Sequence, residues 1–465
     1  MAIRDTSPMQ IGSELVARLR LICGERHVVT DRTALGPYRS DAQRRHRQLP
    51  PVAVLPGSPV EVASVVRACA EAGVAFVARG AGTGLAGGAV PLPDAVLIVL
   101  SRMRRIVEVD LDDRVIVAEA GASARALARA LAPSHFLPSA PSHDAATIGG
   151  IVATNAGGPR SLKYGPIRRH LVGVDLVLPD GREVALRSFD GGYDLVGTFA
   201  GSEGTLGVAT AVHLRVLPVP PDVRLAVTYF EDPIAAARAV SAIIAAGIEP
   251  AALELLDGTA LQVAEQATGA GLQAGAGAAL LIELDGSHEA CEATQASLIQ
   301  TLMKAGAGEL RLAADAAGRA LLWRAHAAAL TGLGRVSNAF AIQDPAVPPS
   351  ELPALLRRAR ALAAARQLEL ALTCRAGEGI IDPVVLYDSR VPGEATRAQD
   401  LTDAITAAAV DAGGTLTAEH GVGVSGGERL RSLFSGADLQ AFARLRGAFD
   451  PGGLANPGRA AAPPR

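Results

Sequence analysis

The sequence predicts an α+β chain of two domains, and three observations carry that prediction. A length of 465 residues exceeds what one hydrophobic core usually serves and fits two. Runs with strand-like and helix-like apolar spacing alternate along the chain. A proline-rich stretch around Pro218, Pro220 and Pro221 separates two different patterns of alternation. Composition agrees with a globular protein: 49% hydrophobic and 20% charged residues supply a core and leave too little charge for disorder. With 44 basic against 47 acidic residues there is no basic field to attract nucleic acid.

Taken in order, residues 11–23 place apolar side chains at helical spacing and predict a leading helix. Residues 31–41 read as an extended polar arm, so that 1–48 precede the first domain, 49–220. Residues 51–56 form a short apolar strand. Ser58, Pro59 and Glu61 then give a hydroxyl cap, an N1 proline and an early acid to a helix over 60–72, which Gly73 ends. Residues 74–78 complete a strand-helix-strand unit. The run Arg79-Gly80-Ala81-Gly82-Thr83-Gly84-Leu85 follows, and Gly82, Gly84 and Gly87 imitate the glycine fingerprint of the nicotinamide-binding fold. That fingerprint needs a helix directly after it, and Pro91 and Pro93 forbid one. What remains is a loop of successive backbone N–H groups, a nest suited to a pyrophosphate, with Arg79 as the candidate counter-charge. Strands follow at 95–100, 106–110 and 115–119, then a helix over 122–131.

From Pro138 to Gly207 glycine recurs in three clusters flanked by Thr147, Asn155, Ser202 and Thr205. Glycine lets backbone approach a large polar ligand while short polar side chains bond to it, so the stretch reads as a flavin-nucleotide cradle; plain turns between strands are the alternative. After the proline boundary come strands at 225–229, 251–256 and 278–283 and helices at 233–246 and 291–305, a small sheet with helices on one face, and a second such pass over 337–417. The second domain is expected at 221–425. Cys23, Cys69, Cys291 and Cys374 lie far apart with no Cys-x-x-Cys pair, which argues for reduced buried thiols rather than a zinc or iron–sulfur site. The N-terminal residues lack a signal-peptide layout and no run of about 18 apolar residues occurs. A cytoplasmic protein is expected, with peripheral attachment to an inner-membrane complex left open.

Arg-Gly-x-Gly-Thr-Gly-Leu from Arg79, Thr-Ile-Gly-Gly from Thr147, Asn-Ala-Gly-Gly-Pro from Asn155 and Gly-Ser-Glu-Gly-Thr-Leu-Gly from Gly201 occur here in one order, followed by Glu419-His420-Gly421-Val422-Gly423 and Asn456-Pro457-Gly458. Together they resemble the flavin-linked D-2-hydroxy-acid dehydrogenases, including D-lactate dehydrogenase and the glycolate oxidase flavin subunit, within the vanillyl-alcohol-oxidase group. The resemblance implies a two-subdomain FAD-binding domain of the PCMH type, a cap domain with antiparallel sheet and helices, and a segment 426–465 that returns to the FAD domain. It assigns noncovalent FAD to Arg79, Gly80, Gly82, Thr83, Gly84 and Leu85; to Pro141, Ser142, Thr147, Gly149, Gly150, Asn155 and Gly157; to Glu203, Gly204, Thr205 and Val208; and to Asn456. His143 stands where a covalent tether would tempt, but this branch is generally noncovalent.

Oxidising a 2-hydroxy acid requires a base for the hydroxyl proton and a cation to orient the carboxylate. The resemblance gives the base to His420, beside Glu419. The family's metal run resembles His-x-Gly-Asp-Gly-Asn-x-His, whereas the matching place here reads Arg375-Ala376-Gly377-Glu378-Gly379-Ile380-Ile381-Asp382. Both imidazoles are gone, which argues against a divalent metal and makes Arg375 the candidate to pair with a carboxylate, a surface arginine being the alternative. The family tends to carry an arginine two or three places after the tryptophan that corresponds to Trp323; His326 stands near that place. Two readings follow. One is an active oxidoreductase acting on a hydroxy acid of the lactate, glycolate or 2-hydroxyglutarate class and passing electrons to a quinone-linked, cytochrome or iron–sulfur subunit. The other is an FAD-binding subunit with a degenerate substrate site, serving electron relay or structure in a glycolate-oxidase-like complex.

Overall fold

The computed structural model describes residues 11–139, 144–424 and 426–460. Cα proximity divides the chain into two units: one holds the residues up to Ala156, Pro166–Pro218 and those from Glu419 onward, the other Gly157–Gly165 and Val219–Ala418.

The first unit contains β1 (Val28–Val29), β2 (Val52–Val54), β3 (Phe76–Arg79), β4 (Val96–Val99), β5 (Ile106–Asp110), β6 (Val115–Glu119), β7 (His135–Phe136), β8 (Leu171–Val177), β9 (Glu183–Arg187), β10 (Val208–Arg215) and β11 (Leu217–Pro218). One sheet runs β1-β2-β4-β3, with β4 parallel to both β2 and β3. Its central strands are apolar at every position because both faces are covered. A second, antiparallel sheet runs β5-β6-β10-β8-β9, and β7 pairs with β11. One core serves both: Phe76 and Ile98 from the first sheet and Ile116, Val174 and Val212 from the second pack with Leu19, Val65, Leu127 and Ile148 of the helices. The helix Pro59–Glu71 starts as its sequence predicts, Ser58 Oγ accepting the Glu61 N–H at 3.2 Å. The polar arm is a correction. Asp31 caps a short helix, Arg32–Leu35, by accepting the Ala34 N–H, and Leu35 is buried, so this stretch folds onto the sheet instead of extending.

The second unit contains β12 (Asp222–Phe230), β13 (Ala252–Asp257), β14 (Ala278–Gly286), β15 (Leu310–Leu312), β16 (Ala339–Ala341), β17 (Glu369–Arg375) and β18 (Ile380–Tyr387), ordered β15-β12-β14-β13-β17-β18-β16 with antiparallel neighbours. Helices cover both faces, not one. Leu280, Ile282 and Leu284 of β14 meet the helices Pro233–Ala245, His288–Lys304, Leu352–Arg366 and Glu394–Asp411, while Ala279 and Leu281 meet Gly258–Thr268 and Ala316–Thr331. The reason was present in the strands, which are apolar at both parities and so have no face to show to water.

Two features of the division differ from the sequence-based boundaries. Residues 157–165 group with the second unit, and the later crossing falls after Ala418 rather than at residue 425. Glu203 accepts the N–H groups of Val422 and Gly423, and that contact holds the Glu-His-Gly run in the first unit. The four cysteines are free and buried; burial pushes the Cys69 thiol up to about 12, which makes it a poor nucleophile. Among the described residues no helix is long and apolar enough to cross a membrane.

Candidate active site

In the first unit the glycine-rich runs meet. β3 delivers the chain into the loop from Gly80 to Gly88, and none of the backbone N–H groups from Gly80 to Ala86 donates to another described residue. Such a row of unsatisfied donors is what a pyrophosphate requires. Gly80 lies so close to Thr147 that a Cβ would overlap the Thr147 hydroxyl, which is why glycine stands there. Thr147 in turn precedes the helix Ile148–Thr154, whose end is marked by left-handed Asn155 (φ 52°). Val152 and Ala153 of that helix accept the N–H groups of Gly201 and Glu203. Glu203 (φ 52°) and Asn456 (φ 44°) are also left-handed, and non-glycine residues held there concentrate at functional sites.

Asn456 closes the arrangement. Its Nδ2 donates to the carbonyls of Gly88 at 2.9 Å and Glu203 at 2.7 Å, and its N–H donates to Phe76 on β3. Gly204, Thr205 and Val208 continue from Glu203 into β10, with Thr205 Oγ1 donating to the Ser202 carbonyl. The Ser202 hydroxyl and Asn456 Oδ1 are buried without a hydrogen-bond partner. The loop after His420 rests on the same structure: Val424 N–H donates to the Ala86 carbonyl, and a Cβ at Gly423 would overlap that oxygen. His420 and Glu419 are half-buried. Pro141, Ser142 and the tether candidate His143 lie outside the described residues.

Charges beneath the loop explain how it is held. Arg79 is buried, and its guanidinium donates to the carbonyls of Ser40 (2.8 Å) and Ala89 (3.0 Å), so its donors brace the nest from below. Burial pulls Arg79 below its ordinary pKa, against the attraction of Asp41. Three residues that sequence reasoning missed complete the support. Asp41 accepts the Gly87 N–H at 2.8 Å; Arg459 donates to Gly87 and Val90 carbonyls at 3.1 Å; and Arg446 donates to the Ala455 carbonyl at 2.7 Å. Burial raises the Asp41 pKa, with the Gly87 and Arg44 N–H groups opposing. Arg459, directly after Asn-Pro-Gly, was the available signal.

In the second unit one sheet face turns polar at its end. Glu283 and Asp285 on β14, Glu254 on β13, Arg375 on β17 and Asp382 on β18 share that face by register. Arg160 donates two hydrogen bonds to Glu283, the Nη2 bond at 3.0 Å, and stacks over Trp323, whose indole N–H donates to Glu283 at 2.7 Å. Lys163 and the Tyr164 hydroxyl bond Asp285. Burial, then the Asp285 bond, pushes the Tyr164 phenol pKa upward. His326 Nε2 lies 2.9 Å from Glu254 Oε2. Arg375 is buried, faces Glu254 across the strands and lies 3.9 Å from Glu378; a Cβ at Gly157 would come within 3.2 Å of its Nη1. Glu254 and Glu283 were legible signals: a lone carboxylate inside an apolar central strand must find a partner. Among the described residues no group of three or more His, Cys, Asp or Glu side chains is arranged to hold a metal ion.

The comparisons with known proteins agree with this construction. The FAD binding domain family matches residues 50–187, and the family of FAD linked oxidases, C-terminal domain, matches 219–460. The glycolate oxidase subunit GlcD of Escherichia coli K12 is 36% identical over 428 residues, covering 91% of this chain and 86% of that protein. GlcD of Bacillus subtilis is 32% identical over 428 residues, 91% of each. The D-lactate dehydrogenase of Archaeoglobus fulgidus is 31% identical over 417 residues, 88% of this chain and 90% of that one. Among solved structures, a 4-ethylphenol oxidase from Gulosibacter chungangensis reaches a TM-score of 0.82 over 98% of this chain and 99% of its own, and p-cresol methylhydroxylase 0.80 over 97% and 96%. At 17% identity these two speak for the fold alone, the vanillyl-alcohol-oxidase and PCMH type. A nest of unspent N–H donors, buried hydroxyl and amide oxygens beside it and the matching domains all fit FAD. The protein is a flavoprotein, and the chain belongs to the family of FAD-linked oxidases.

Proposed function

We propose that this oxidoreductase converts a D-2-hydroxy acid of the lactate, glycolate or 2-hydroxyglutarate class to the 2-oxo acid. His420 takes the hydroxyl proton, Glu419 beside it assists, and Arg375 pairs with the substrate carboxylate through its planar fork. Bound FAD, held without a covalent tether, supplies the acceptor for the two electrons that leave C2. The observation that carries this reading is the seating of the loop after His420. Glu203 takes the N–H groups of Val422 and Gly423 at 2.7 and 2.8 Å, and Val424 bonds Ala86, so the histidine is fixed relative to the phosphate nest. The cofactor roles of Arg79, Gly80, Gly82, Thr83, Gly84, Leu85, Pro141, Ser142, Thr147, Gly149, Gly150, Asn155, Gly157, Glu203, Gly204, Thr205, Val208 and Asn456 belong to the same proposal.

The relatives named as glycolate oxidase subunits support a further part of the reading, that this chain hands its electrons to a partner subunit. The test is anaerobic mixing of the purified flavoprotein with D-lactate, glycolate and D-2-hydroxyglutarate while the flavin absorption band is followed. Bleaching by one or more of them is expected. If a wide D-2-hydroxy-acid panel leaves the band unchanged, the proposal falls and an electron-relay role takes its place.

A further inference from the structure

We propose that the arginine loop from Arg39 to Gln48 in the first unit is the docking surface for an acidic one-electron redox protein that draws electrons from the flavin. The inference rests on the partner reading above and names the surface and the chemistry of the partner. In this loop four arginines, Arg39, Arg44, Arg45 and Arg47, stand against one acid, Asp41, in a chain whose net charge is -3. All four arginines are exposed. Asp41 is 5% exposed and turns its carboxylate inward, Oδ2 accepting the Gly87 N–H at 2.8 Å and Oδ1 the Arg44 N–H at 3.2 Å. Among the described residues Arg39, Arg44 and Arg47 enter no ion pair, whereas Arg18, Arg105 and Arg182 elsewhere on this unit each meet a carboxylate.

The loop is clasped and fastened to the phosphate nest. The Gln48 N–H donates to the Arg39 carbonyl at 2.8 Å and closes it, while the Ala42 N–H donates to the Gly84 carbonyl at 3.2 Å and Arg79 to the Ser40 carbonyl at 2.8 Å. Arg44 is held left-handed (φ 60°), a conformation that costs a non-glycine residue and persists only where its surroundings dictate it. Like charges fixed together with no carboxylate to relieve them raise the local potential and speed the approach of an opposite charge by roughly 10- to 1,000-fold. Adhesion to a lipid surface draws on apolar area as well as charge, and the loop's one apolar side chain is Ala42. A protein partner is therefore favoured, and its face must be acidic, since a basic carrier such as cytochrome c would be repelled. Two molecules of the partner each gain one electron, and the reduced flavin loses those two electrons together with a proton that passes to solvent.

The test starts from holoenzyme reduced with dithionite and freed of the excess, so hydroxy-acid oxidation plays no part in it. Return of the flavin absorption band is followed anaerobically by rapid mixing with acidic plastocyanin, basic cytochrome c or uncharged benzoquinone. At low ionic strength plastocyanin is expected to react about tenfold or more faster than cytochrome c, and added salt is expected to erase that lead. The combined variant R39Q, R44Q and R47Q is expected to slow plastocyanin by about tenfold, to flatten its salt dependence and to leave benzoquinone at the parental rate. Lysine at the same three positions keeps the charge and is expected to keep the plastocyanin rate. Cytochrome c matching plastocyanin at low salt, a parental plastocyanin rate in the glutamine variant, or a lysine variant as slow as the glutamine one overturns the docking surface. A glutamine variant that instead loses only its adhesion to phosphatidylglycerol vesicles makes the loop a lipid site and overturns it too. Should benzoquinone alone oxidise the flavin, with neither protein accepting electrons at any salt, the partner reading falls first and takes the docking surface with it.

Discussion

Glu203 shows how much one side chain can organise. Its two carboxylate oxygens accept Val422 and Gly423 N–H groups, its carbonyl accepts Asn456 Nδ2, and its own N–H donates to Ala153, all from a left-handed backbone. Hydrogen bonds to an ionised acceptor are among the strong ones, and Glu203→Gln would set an amide donor against a backbone donor. The expected cost is about 2 kcal/mol, localised in the loop that follows His420. Flavin reduction in the variant, measured per bound flavin, should slow by roughly tenfold or more. A parental reduction rate would show that the loop needs no such anchor. Sequence reading picked out Glu203 as part of a motif but gave its side chain no partner, because Val422 and Gly423 lie more than two hundred positions away. Arg79 teaches the same lesson from the other side. Its chemistry suggests a counter-charge, and composition gave no hint that its guanidinium also donates to the Ser40 and Ala89 carbonyls.

Elements were more legible than the use of single residues, because periodicity and caps are local. Ser58 and Pro59 open their helix as their types predict, and the strands and helices from 222 to 304 follow the apolar spacing closely. The arm at 31–41 was misread because a single buried leucine, Leu35, decides its fate. Asp257 illustrates what periodicity leaves out. It caps the helix Gly258–Thr268 by accepting the Ala260 N–H at 2.9 Å, and burial raises its carboxyl to about 6. The folded chain therefore holds this proton up to about pH 6, whereas the unfolded chain releases it near 3.8. Stability from Asp257 is complete below pH 3.8 and is lost as pH rises through 6. Asp257→Asn keeps an acceptor for Ala260 and abolishes the titration. Relative to the parent, the variant should gain about 2 kcal/mol between pH 4 and pH 7.5, read from urea unfolding followed by Trp323 emission. A difference that does not change with pH would refute the assignment.

At the scale of the whole molecule, the chain passes between its two units at 156/157, 165/166, 218/219 and 418/419, and two of the family runs sit at those crossings. Asn155-Ala156-Gly157 spans the first, and Glu419-His420 opens immediately after the last. Composition and spacing point to two domains and to a flavin cradle, but they treat 157–165 as part of that cradle's stretch. Only the tertiary partners reveal otherwise: Arg160 on Glu283, Lys163 and Tyr164 on Asp285, with the two acidic side chains 1% and 2% exposed. A fragment cut at the proline boundary, residues 219–418, would keep both carboxylates and lose all three of these partners. Removing one side of a buried ion pair is strongly destabilising, whereas removing both charges is nearly neutral. The fragment alone should therefore melt well below the same fragment carrying Glu283→Gln and Asp285→Asn, by roughly 3 kcal/mol at pH 7.5 in urea titrations followed by circular dichroism. Adding the 157–165 peptide should raise the unmodified fragment's midpoint and leave the doubly substituted one unmoved. If the two fragments unfold together and ignore the peptide, the segment is not the charge partner of the second unit, and its grouping there has another cause.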